Sequence, residues 1–458
     1  MLNVVICGAG RVGHSIARFL THYDTHITIV DLDKDLVDHL SNTLDVRGVH
    51  GFASHPEVLA KAGAETADVF IAVTHVDEVN MIACEVAHAL FKIPTKIARI
   101  RSQTYLMPAY GLMFQDKNIS IDDVLSPEID VAHHITKSLT VPGANDAIPI
   151  GPEVEGKQIA SLFSVQLSED APACHTEIAR LPSIMPDARL AILSITRNGE
   201  TFLPTDSTTL TADDEVSFIC ATDHVDKATS LFKSTTSQSQ HVLICGGGNV
   251  GFGLGRFIRE QFPEKDITII EQDEKRANYV AQRLKDVNVL CGNTLDSEIL
   301  LEAGVVNADV IAVTNDDKVN ALAVLLAKSL NANWTQTLVN DLSYATLVTS
   351  LGVDDAIMPE TITASKVLRH MRSHWTHNAF PIAHGFGEFI EAVIPAGAPL
   401  VGTSTQSLDN AKNIRVAGII RNKQLCLGKD YTIEPDDRLL CAATLDAIKN
   451  IEKLCTPK

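Results

Sequence analysis

The stretch VVICGAGRVG at residues 4–13 decides the fold. Its first four residues are apolar and predict a buried strand, which runs directly into glycines spaced G-x-G-x-x-G at the start of a predicted helix. The stretch VLICGGGNVG at residues 242–251 repeats the pattern. A strand, a glycine loop and a helix in this order are typical of the first βα unit of a dinucleotide-binding fold.

The duplication extends well beyond the glycine loop. The segment AGAETADVFIAVTHVDEVN at 62–80 aligns with AGVVNADVIAVTNDDKVN at 303–320 with a single gap. A shorter match pairs ITRNGETFLPTDSTTLTADDEVSFI at 195–219 with IIRNKQLCLGKDYTIEPDDRLLC at 419–441. The order of these matches predicts a large and a small lobe that occur twice along the chain.

Wholly apolar strands alternate with helical patterns in each large lobe, which predicts a parallel sheet covered on both faces. Short strands such as LAILSITR at 190–197 and EVSFICA at 215–221, separated by turn clusters, predict a different, α+β unit for each small lobe. We therefore predict an α/β protein with two doubly wound, parallel-sheet Rossmann-like lobes, each followed by a small α+β lobe. The predicted boundaries are 1–139, 140–232, a polar linker at 233–240, 241–373 and 374–458.

Composition restricts the class of function. The 458 residues carry a formal net charge of -19, which argues against binding to nucleic acid or directly to anionic lipid. No apolar run is long enough to span a bilayer and no signal peptide precedes the first strand, so we expect a cytosolic protein. The nine cysteines include no C-x-x-C pair, and we expect Cys7 and Cys245 to be small packed hydrophobes.

The first glycine loop predicts a nucleotide cradle. Gly8 permits a tight turn, Gly10 lets the backbone approach a pyrophosphate, and Gly13 allows the helix to pack closely on the strand. The helix N-terminus then presents free N–H groups to the phosphates. Asp31 ends the second strand, where a carboxylate accepts hydrogen bonds from both ribose hydroxyls and favours NAD or adenine nucleotides over NADP.

Four further residues are expected at the same edge of the first sheet. Arg11 lies in the loop within reach of a phosphate, and Arg99 ends the fifth strand. Thr74 and His75 follow strand DVFIAVT and are expected to line the same crevice. The two arginines also fit ordinary surface positions, and the sequence leaves both interpretations open.

The second loop departs from the first in its charge. Glu271 is equivalent to Asp31, but Asn249 replaces Arg11 and Asn340 falls near the Arg99 equivalent. The second site is therefore predicted to be weaker, tuned to another nucleotide or vacant. The alternative is that a glycine-rich turn such as Gly246–Gly251 serves only the fold.

No pattern for catalysis or metal binding stands out. The acid pairs at 213–214 and 436–437 occupy predicted turns, where Asp is common for backbone reasons. His133 and His134 are expected at the surface. Three further histidines lie in a connecting segment, where a polar helix face explains them better than metal ligation does; they are His370, His374 and His377. We predict no catalytic residues and no metal, so the nucleotide is a signal and not a reagent.

The paired motifs resemble one known family. CGAGRVG…VDLD…GFASHPEVLAKAG…ADVFIAVTHVDEVN and CGGGNVG…IEQDE…CGNTLDSEILLEAG…ADVIAVTNDDKVN are similar to the TrkA family, whose domains are called RCK or KTN. The resemblance implies a cytosolic regulatory subunit of a bacterial Trk potassium-uptake system, most simply a homotetramer. It further implies peripheral attachment to a membrane-embedded potassium-translocating partner and gating by NAD(H), ATP or ADP.

The resemblance also implies the nucleotide contacts. They fall on Gly8, Ala9, Gly10, Arg11, Val12, Gly13, Asp31, Thr74, His75 and Arg99, and in the second lobe on Gly246, Gly247, Gly248, Asn249, Val250, Gly251 and Glu271. Arg11 resembles an arginine that reaches terminal phosphates in related channel subunits, which favours ATP in the first lobe. Asn340 stands where the family usually has an arginine.

Two other functions remain open from the sequence. An NAD-dependent dehydrogenase with a duplicated nucleotide fold would need an acid/base residue delivered to the nicotinamide. A free-standing nucleotide-binding scaffold would need no transport partner.

Overall fold

The structure is a computed structural model. It describes residues 2–106, 113–114, 118–139, 146–154, 157–233, 239–371, 376–382, 386–409, 411 and 413–457, with backbone alone at 103, 146, 147, 342, 346 and 377. Most of the predicted linker and His374 lie outside the described residues, as does the side chain of His377. The chain forms two compact units, Met1–Asp130 with Glu360–Arg372, and Val131–Pro359 with Ser373–Lys458.

The first large lobe alternates strands and helices as predicted. Its elements are β1 (Leu2–Cys7), α1 (Arg11–Leu20), β2 (Thr25–Asp31), α2 (Lys34–Thr43), β3 (Arg47–His50), α3 (Pro56–Lys61), β4 (Val69–Ala72), α4 (Asp77–Phe91), β5 (Thr95–Arg99), α5 (Gln103–Leu106), β6 (Asp123–Leu125) and α6 (Pro127–Ser138). The described strands form one parallel sheet in the order β3-β2-β1-β4-β5-β6. The order in which successive strands are added reverses between β1 and β4, and this switch point leaves a crevice at the carboxyl ends of these two strands.

Strand β1 shows why its sequence is apolar throughout. Val5 and Cys7 pack into the core on one face of the sheet, while Val4 and Ile6 pack into the core on the other. Cys7 is fully buried, as predicted, and burial raises the pKa of its thiol well above the usual value.

The first small lobe is an antiparallel sheet with short helices. It comprises β7 (Asp146–Val154), β8 (Lys157–Gln166), α7 (Leu181–Ile184), β9 (Leu190–Arg197), β10 (Glu200–Phe202), β11 (Glu215–Ala221) and α8 (Val225–Ser230). The strand order is β10-β9-β11-β8-β7. Strands β9 and β11 coincide with the predicted strands LAILSITR and EVSFICA.

The second large lobe repeats the first. Its elements are β12 (His241–Cys245), α9 (Asn249–Gln261), β13 (Asp266–Glu271), α10 (Glu274–Arg283), β14 (Asn288–Cys291), α11 (Ser297–Glu302), β15 (Asp309–Ala312), α12 (Asp317–Ser329), β16 (Trp334–Leu338), α13 (Leu342–Ser350), β17 (Asp355–Ile357) and α14 (Pro359–Met371). The order β14-β13-β12-β15-β16-β17 is again parallel. Cys245 is buried in it like Cys7.

The second small lobe is also antiparallel. It comprises β18 (Thr376–Ile382), β19 (Gly387–Val393), α15 (Thr405–Asp409), β20 (Ile414–Arg421), β21 (Gln424–Leu427), β22 (Arg438–Thr444) and α16 (Leu445–Cys455), in the strand order β18-β19-β22-β20-β21. Both small lobes belong to the second unit and share one apolar core, to which Ile150, Leu193, Phe389 and Leu440 contribute. The predicted fold class is confirmed.

The acid pairs have a structural role that the sequence analysis described only in part. Asp213 and Asp436 adopt positive φ in turns, as expected of turn residues. Asp214 and Asp437 are instead buried and each accepts two hydrogen bonds from one guanidinium, from Arg197 and Arg421 respectively. These bidentate pairs hold the turns onto β9 and β20.

Helix α14 belongs to the first unit, although it follows the second large lobe in the sequence. Its Val367 packs into the same core as Ile16 and Leu20 of α1. His370, predicted on a polar face, lies with its Nε2 atom 2.8 Å from a carboxylate oxygen of Asp123.

The part of helix α6 from Val131 onward belongs to the second unit and packs beside α9. His133 is exposed as predicted, but its ring stacks on Phe257 with centroids 3.7 Å apart. The predicted domain boundaries stay predictions.

Candidate functional site

Two glycines of the first loop are required by the backbone. Gly8 has a φ of +114°, and a Cβ built there would lie 2.8 Å from the carbonyl carbon and oxygen of Val73. A Cβ on Gly13 would overlap the carbonyl oxygen of Gly8. These two positions therefore fix the turn and the close approach of α1 to the strands, whether or not a ligand is bound.

Gly10 differs from its neighbours because its missing side chain leaves open space. A Cβ there would meet only the ring of His75, at 3.5 Å. Gly10 is also the N-cap of α1 and makes no side-chain capping bond, whereas Asp33 caps α2 by accepting from two amides. A helix N-terminus without a side-chain cap, facing open space, fits a phosphate group.

Asp31 lies beside this cradle at the end of β2. One carboxylate oxygen accepts from the Ala9 amide at 2.6 Å and the other from the Asp33 amide at 2.9 Å. Each oxygen keeps further lone-pair capacity for a donor such as a ribose hydroxyl. The acid therefore both positions the loop and offers an acceptor next to it.

A buried asparagine connects the far side of the crevice. Asn80 is fully buried, and its Oδ1 accepts from the amide and the hydroxyl of Thr74 while its Nδ2 donates to the carbonyl oxygens of Thr74 and Arg99. This residue fixes the two loops that carry Thr74, His75 and Arg99. Asn80 ends the segment at 62–80, and Asn320 ends the matching segment at 303–320, but the sequence alone indicates no role for either residue.

Arg99 lies at the carboxyl end of β5 as predicted, but it already has a partner. Its Nη2 atom is 3.2 Å from Glu128 and its side chain is 11% exposed. Burial lowers the pKa of the Arg99 guanidinium, and the Glu128 carboxylate opposes that shift. A ligand phosphate would have to share Arg99 with this carboxylate.

The second lobe has the same cradle. Gly246 has a φ of +112°, a Cβ on Gly251 would overlap the Gly246 carbonyl oxygen, and a Cβ on Gly248 would meet nothing within 4 Å. Glu271 accepts from the Gly247 amide at 2.8 Å, as Asp31 accepts from that of Ala9. Gly248 is an N-cap without a side-chain bond.

The residue equivalent to Arg99 in the second lobe is Leu338, close to Asn340 as the sequence predicted. Asn320 repeats the bonds of Asn80, and its Nδ2 donates to Leu338, so Leu338 occupies the position of Arg99. Asn340 is two residues further on, where its amide bonds Asp317. The β16 sequence shares no marker residue with β5, so only the hydrogen-bond register reveals this equivalence.

A cation near the second cradle was missed. The Nε atom of Arg276 donates to the Gly247 carbonyl oxygen at 2.7 Å. Arg276 is the third residue of α10, and the third residue of α2 is Leu36. The lower charge was predicted from Asn249 and Asn340, and it did not take account of the guanidinium that Arg276 adds beside Gly247.

The described residues contain neither a cluster suited to a metal ion nor a helix suited to cross a membrane. No group of three or more His, Cys, Asp or Glu that would suit a metal ion occurs among the residues whose structure is described. In the same residues no helix combines the length and the apolar character needed to cross a membrane.

Comparison with known proteins identifies the family. The TrkA-N domain matches residues 4–127 and 242–359, and the TrkA-C domain matches residues 162–233 and 389–456. The chain belongs to the TrkA family. Among its curated TrkA relatives is the Trk system potassium uptake protein TrkA of Azorhizobium caulinodans, 38% identical over 99% of this chain and 98% of the relative. That of Haemophilus influenzae is 32% identical over 100% and 99%.

Solved structures share the fold of this TrkA-family chain at low identity. The crystal structure of the GsuK RCK domain superposes with a TM-score of 0.61 at 16% identity, covering 99% of this chain and 95% of that one. The GsuK channel bound to NAD gives 0.62 at 16% identity, covering 99% and 79%. The fold of this chain is therefore similar to that of the RCK domain of a channel protein.

Proposed function

We propose that this TrkA-family chain is a nucleotide-responsive regulatory subunit of a potassium-uptake system. The observation that carries the proposal is the pair of uncapped glycine cradles, each with a carboxylate at the end of the neighbouring strand. Full-length relatives are named as potassium uptake proteins, which supplies the process. Binding then acts as a signal.

The ligands proposed are NAD(H) and the adenine nucleotides ATP and ADP. Phosphates would lie at the N-termini of α1 and α9, and ribose hydroxyls would bond Asp31 and Glu271. The remaining proposed contacts are Gly8, Ala9, Gly10, Arg11, Val12, Gly13, Thr74, His75 and Arg99 in the first lobe, and Gly246, Gly247, Gly248, Asn249, Val250 and Gly251 in the second. The GsuK channel bound to NAD supports the proposal that this fold accepts a dinucleotide.

Gating requires a membrane-embedded potassium-translocating partner and several copies of this chain, most simply four, attached to the cytoplasmic face of the membrane through that partner. A ligand moves such an assembly between two states only by binding one state more tightly. A switch from 1:99 to 99:1 needs a preference of about 10⁴-fold, which several sites can share.

Asp31→Ala is expected to weaken NADH binding by about 1.5–3 kcal/mol, because it removes charge-assisted bonds to the ribose. Calorimetric titration of the full chain measures the change. Asp38→Ala, at an exposed position on α2, is the matched control. An affinity for NADH that Asp31→Ala leaves unchanged would reject the ribose contact.

Arg11→Gln is expected to reduce ATP affinity more than NAD affinity, by at least about tenfold or 1.4 kcal/mol, because only ATP extends further phosphates past the loop. Titrations with both ligands measure the ratio, and Lys34→Gln, exposed at the start of α2, controls for general charge. Equal losses for ATP and NAD would rule out contact with the terminal phosphates.

The functional test is potassium flux. The full chain is reconstituted in vesicles with a Trk-type membrane subunit, and flux is followed as ATP, ADP, NAD and NADH are varied. We expect flux to depend on nucleotide with the native chain and to lose that dependence with Gly10→Ala and Gly248→Ala combined. Sustained NADH turnover with an added substrate would instead support the dehydrogenase alternative.

A further inference from the structure

The rims of the two cradles differ although the loops match. Four large apolar side chains are exposed at the carboxyl ends of β2, β3 and β4 or at the start of the helices that follow them. They are Leu32 at 53% exposure, Leu36 at 38%, Phe52 at 41% and Val76 at 48%. This edge also carries Asp31, so the apolar side chains occur at the edge of the sheet where the base of a nucleotide would lie.

The second lobe has polar residues at every equivalent position. The Gly51 amide donates to the Asp31 carbonyl and the Gly292 amide to that of Glu271, which pairs Phe52 with Asn293. The N-caps of equivalent helices give the remaining equivalences. Asp33 caps α2 as Asp273 caps α10, which aligns the residues on either side of them. Val76 is the N-cap of α4 and Asp316 that of α12. The resulting equivalents of the four apolar side chains are Gln272, Arg276, Asn293 and Asp316.

The opposite side of the cradle shows the reverse contrast. The first helical residue is Arg11 in α1 and Asn249 in α9. The buried asparagine donates to the carbonyl oxygen of Arg99 in the first lobe and to that of Leu338 in the second. At these positions the first lobe is therefore apolar towards the base and carries arginines towards the distal phosphates, whereas the equivalent positions of the second lobe carry polar residues towards the base and no arginine at Asn249 or Leu338.

Phe52 is suited to hold a flat base. Its ring already stacks on His55, with centroids 5.0 Å apart and planes 19° apart, and it remains exposed. An exposed ring held in one plane by a neighbour gives a purine a surface on which to stack.

Arg276 is held in place beside the second loop. Its guanidinium lies 4.8 Å from the ring centroid of Tyr279 and 5.9 Å from that of Phe252, while its Nε atom bonds Gly247. Gly247 also bonds Glu271, the proposed ribose acceptor. Its Nη2 atom lies 3.5 Å from Oδ1 of Asn249, so the guanidinium extends from the Gly247 carbonyl to the first residue of α9, along the loop on which the phosphates would lie.

We propose that the two cradles select different nucleotides: the first takes an adenine polyphosphate, with its base on Phe52 and its distal phosphates at Arg11, and the second takes AMP or NAD(H), which present no terminal phosphates beyond the loop, with Arg276 beside the phosphates that lie on the loop. This selection rests on the proposed function and divides the two proposed ligand classes between the two lobes. Phe52 and Arg276 are its specificity-determining residues.

The test uses the full chain with one cradle blocked at a time. Gly248→Ala is designed to block the second cradle and Gly10→Ala the first. A Cβ on Gly248 would meet no protein atom within 4 Å and one on Gly10 only the His75 ring, so each methyl group would compete with the proposed phosphate and not with the protein. Calorimetric titrations with ATP, ADP, AMP and NAD then rank the ligands in each background. We expect ATP to bind most tightly to the first cradle, and AMP or NAD to the second.

Exchange of rim residues between the lobes sharpens the test. In the first-cradle background, Phe52→Asn should weaken ATP at least about tenfold through the loss of stacking, while Leu90→Asn, exposed on α4, should not. Leu36→Arg should raise AMP and NAD affinity there. In the second-cradle background, Arg276→Leu should weaken AMP and NAD at least about tenfold.

Thermal unfolding of each variant separates lost affinity from lost structure, and Leu36→Arg keeps a gain of affinity as a readout that misfolding cannot produce. The same ligand order in both backgrounds, or rim exchanges that leave the order unchanged, would overturn the selection while leaving nucleotide binding intact. A native chain that binds no nucleotide would instead overturn the proposed function.

Discussion

Gly13→Ala is expected to destabilise the first large lobe by about 1–3 kcal/mol or more, because the new Cβ overlaps the carbonyl oxygen of Gly8. Neither group has room to move. Gly8 is itself confined by the Val73 backbone, 2.8 Å from where its own Cβ would lie, and α1 packs against the sheet through the fully buried Ile16 and Leu20. Relief of the overlap requires α1 to shift away from β1, which opens the core between them.

The matched variant is Gly10→Ala, three residues earlier in the same loop. Its Cβ meets only the His75 ring, at an ordinary van der Waals distance, so the free energy of unfolding should stay within about 0.5 kcal/mol of the native value. Nucleotide affinity should nevertheless fall at least about tenfold, since the methyl group occupies the phosphate position.

Denaturant unfolding and nucleotide titration of both variants give the comparison. The account predicts that Gly13→Ala lowers the unfolding midpoint, whereas Gly10→Ala lowers affinity alone. Equal unfolding midpoints for the two variants would show that the loop geometry is described wrongly.

Asn80→Ala is expected to destabilise the first lobe by a similar amount or more. The change strips a hydrogen-bond partner from the Thr74 amide and from the Arg99 carbonyl, each of which costs about 1–3 kcal/mol if left unsatisfied. Asn80 is fully buried, so water cannot replace it without a local opening. Because Thr74 and Arg99 border the crevice, nucleotide affinity should fall along with stability.

Two variants control for this result. Asn320→Ala removes the same set of bonds from the second lobe and should destabilise that lobe to a similar extent. His88→Ala, at an exposed site on the last turn of α4, should leave the free energy of unfolding within about 0.5 kcal/mol of the native value. If Asn80→Ala behaved like His88→Ala, the asparagine would not hold the two loops together.

The fold followed from the sequence because its determinants are local and repeated. Each βα unit is indicated by an apolar strand such as Leu2–Cys7, a glycine loop and the helical periodicity that follows. Because the same pattern occurs in both lobes, the prediction for one lobe supports the prediction for the other. The short strands at 190–197 and 215–221 were equally visible, since turn residues bound them. The burial of Asp214 and Asp437 could not be predicted, because an acid in a turn gives no indication of the arginine with which it pairs elsewhere in the sequence.

The site was predictable only where the backbone dictates the residue. Gly8, Gly13 and Asp31 stand at positions that the motif fixes relative to β1 and β2. The rim depends on the register between strands that are distant in sequence, which is why the sequence located the equivalent of Arg99 only to within two residues, near Asn340, whereas the structure places Leu338 there. Arg276 was detectable in principle, because aligning DLDKDL with EQDEKR places it opposite Leu36.

The most direct test of the central claim is calorimetric titration of ATP and NAD into the full chain and into the variant that combines Gly10→Ala with Gly248→Ala. The account predicts saturable binding by the native chain and loss of both ligands in the double variant, with unfolding midpoints unchanged. Native-like affinities in the double variant would contradict the claim that the two glycine cradles are the nucleotide sites.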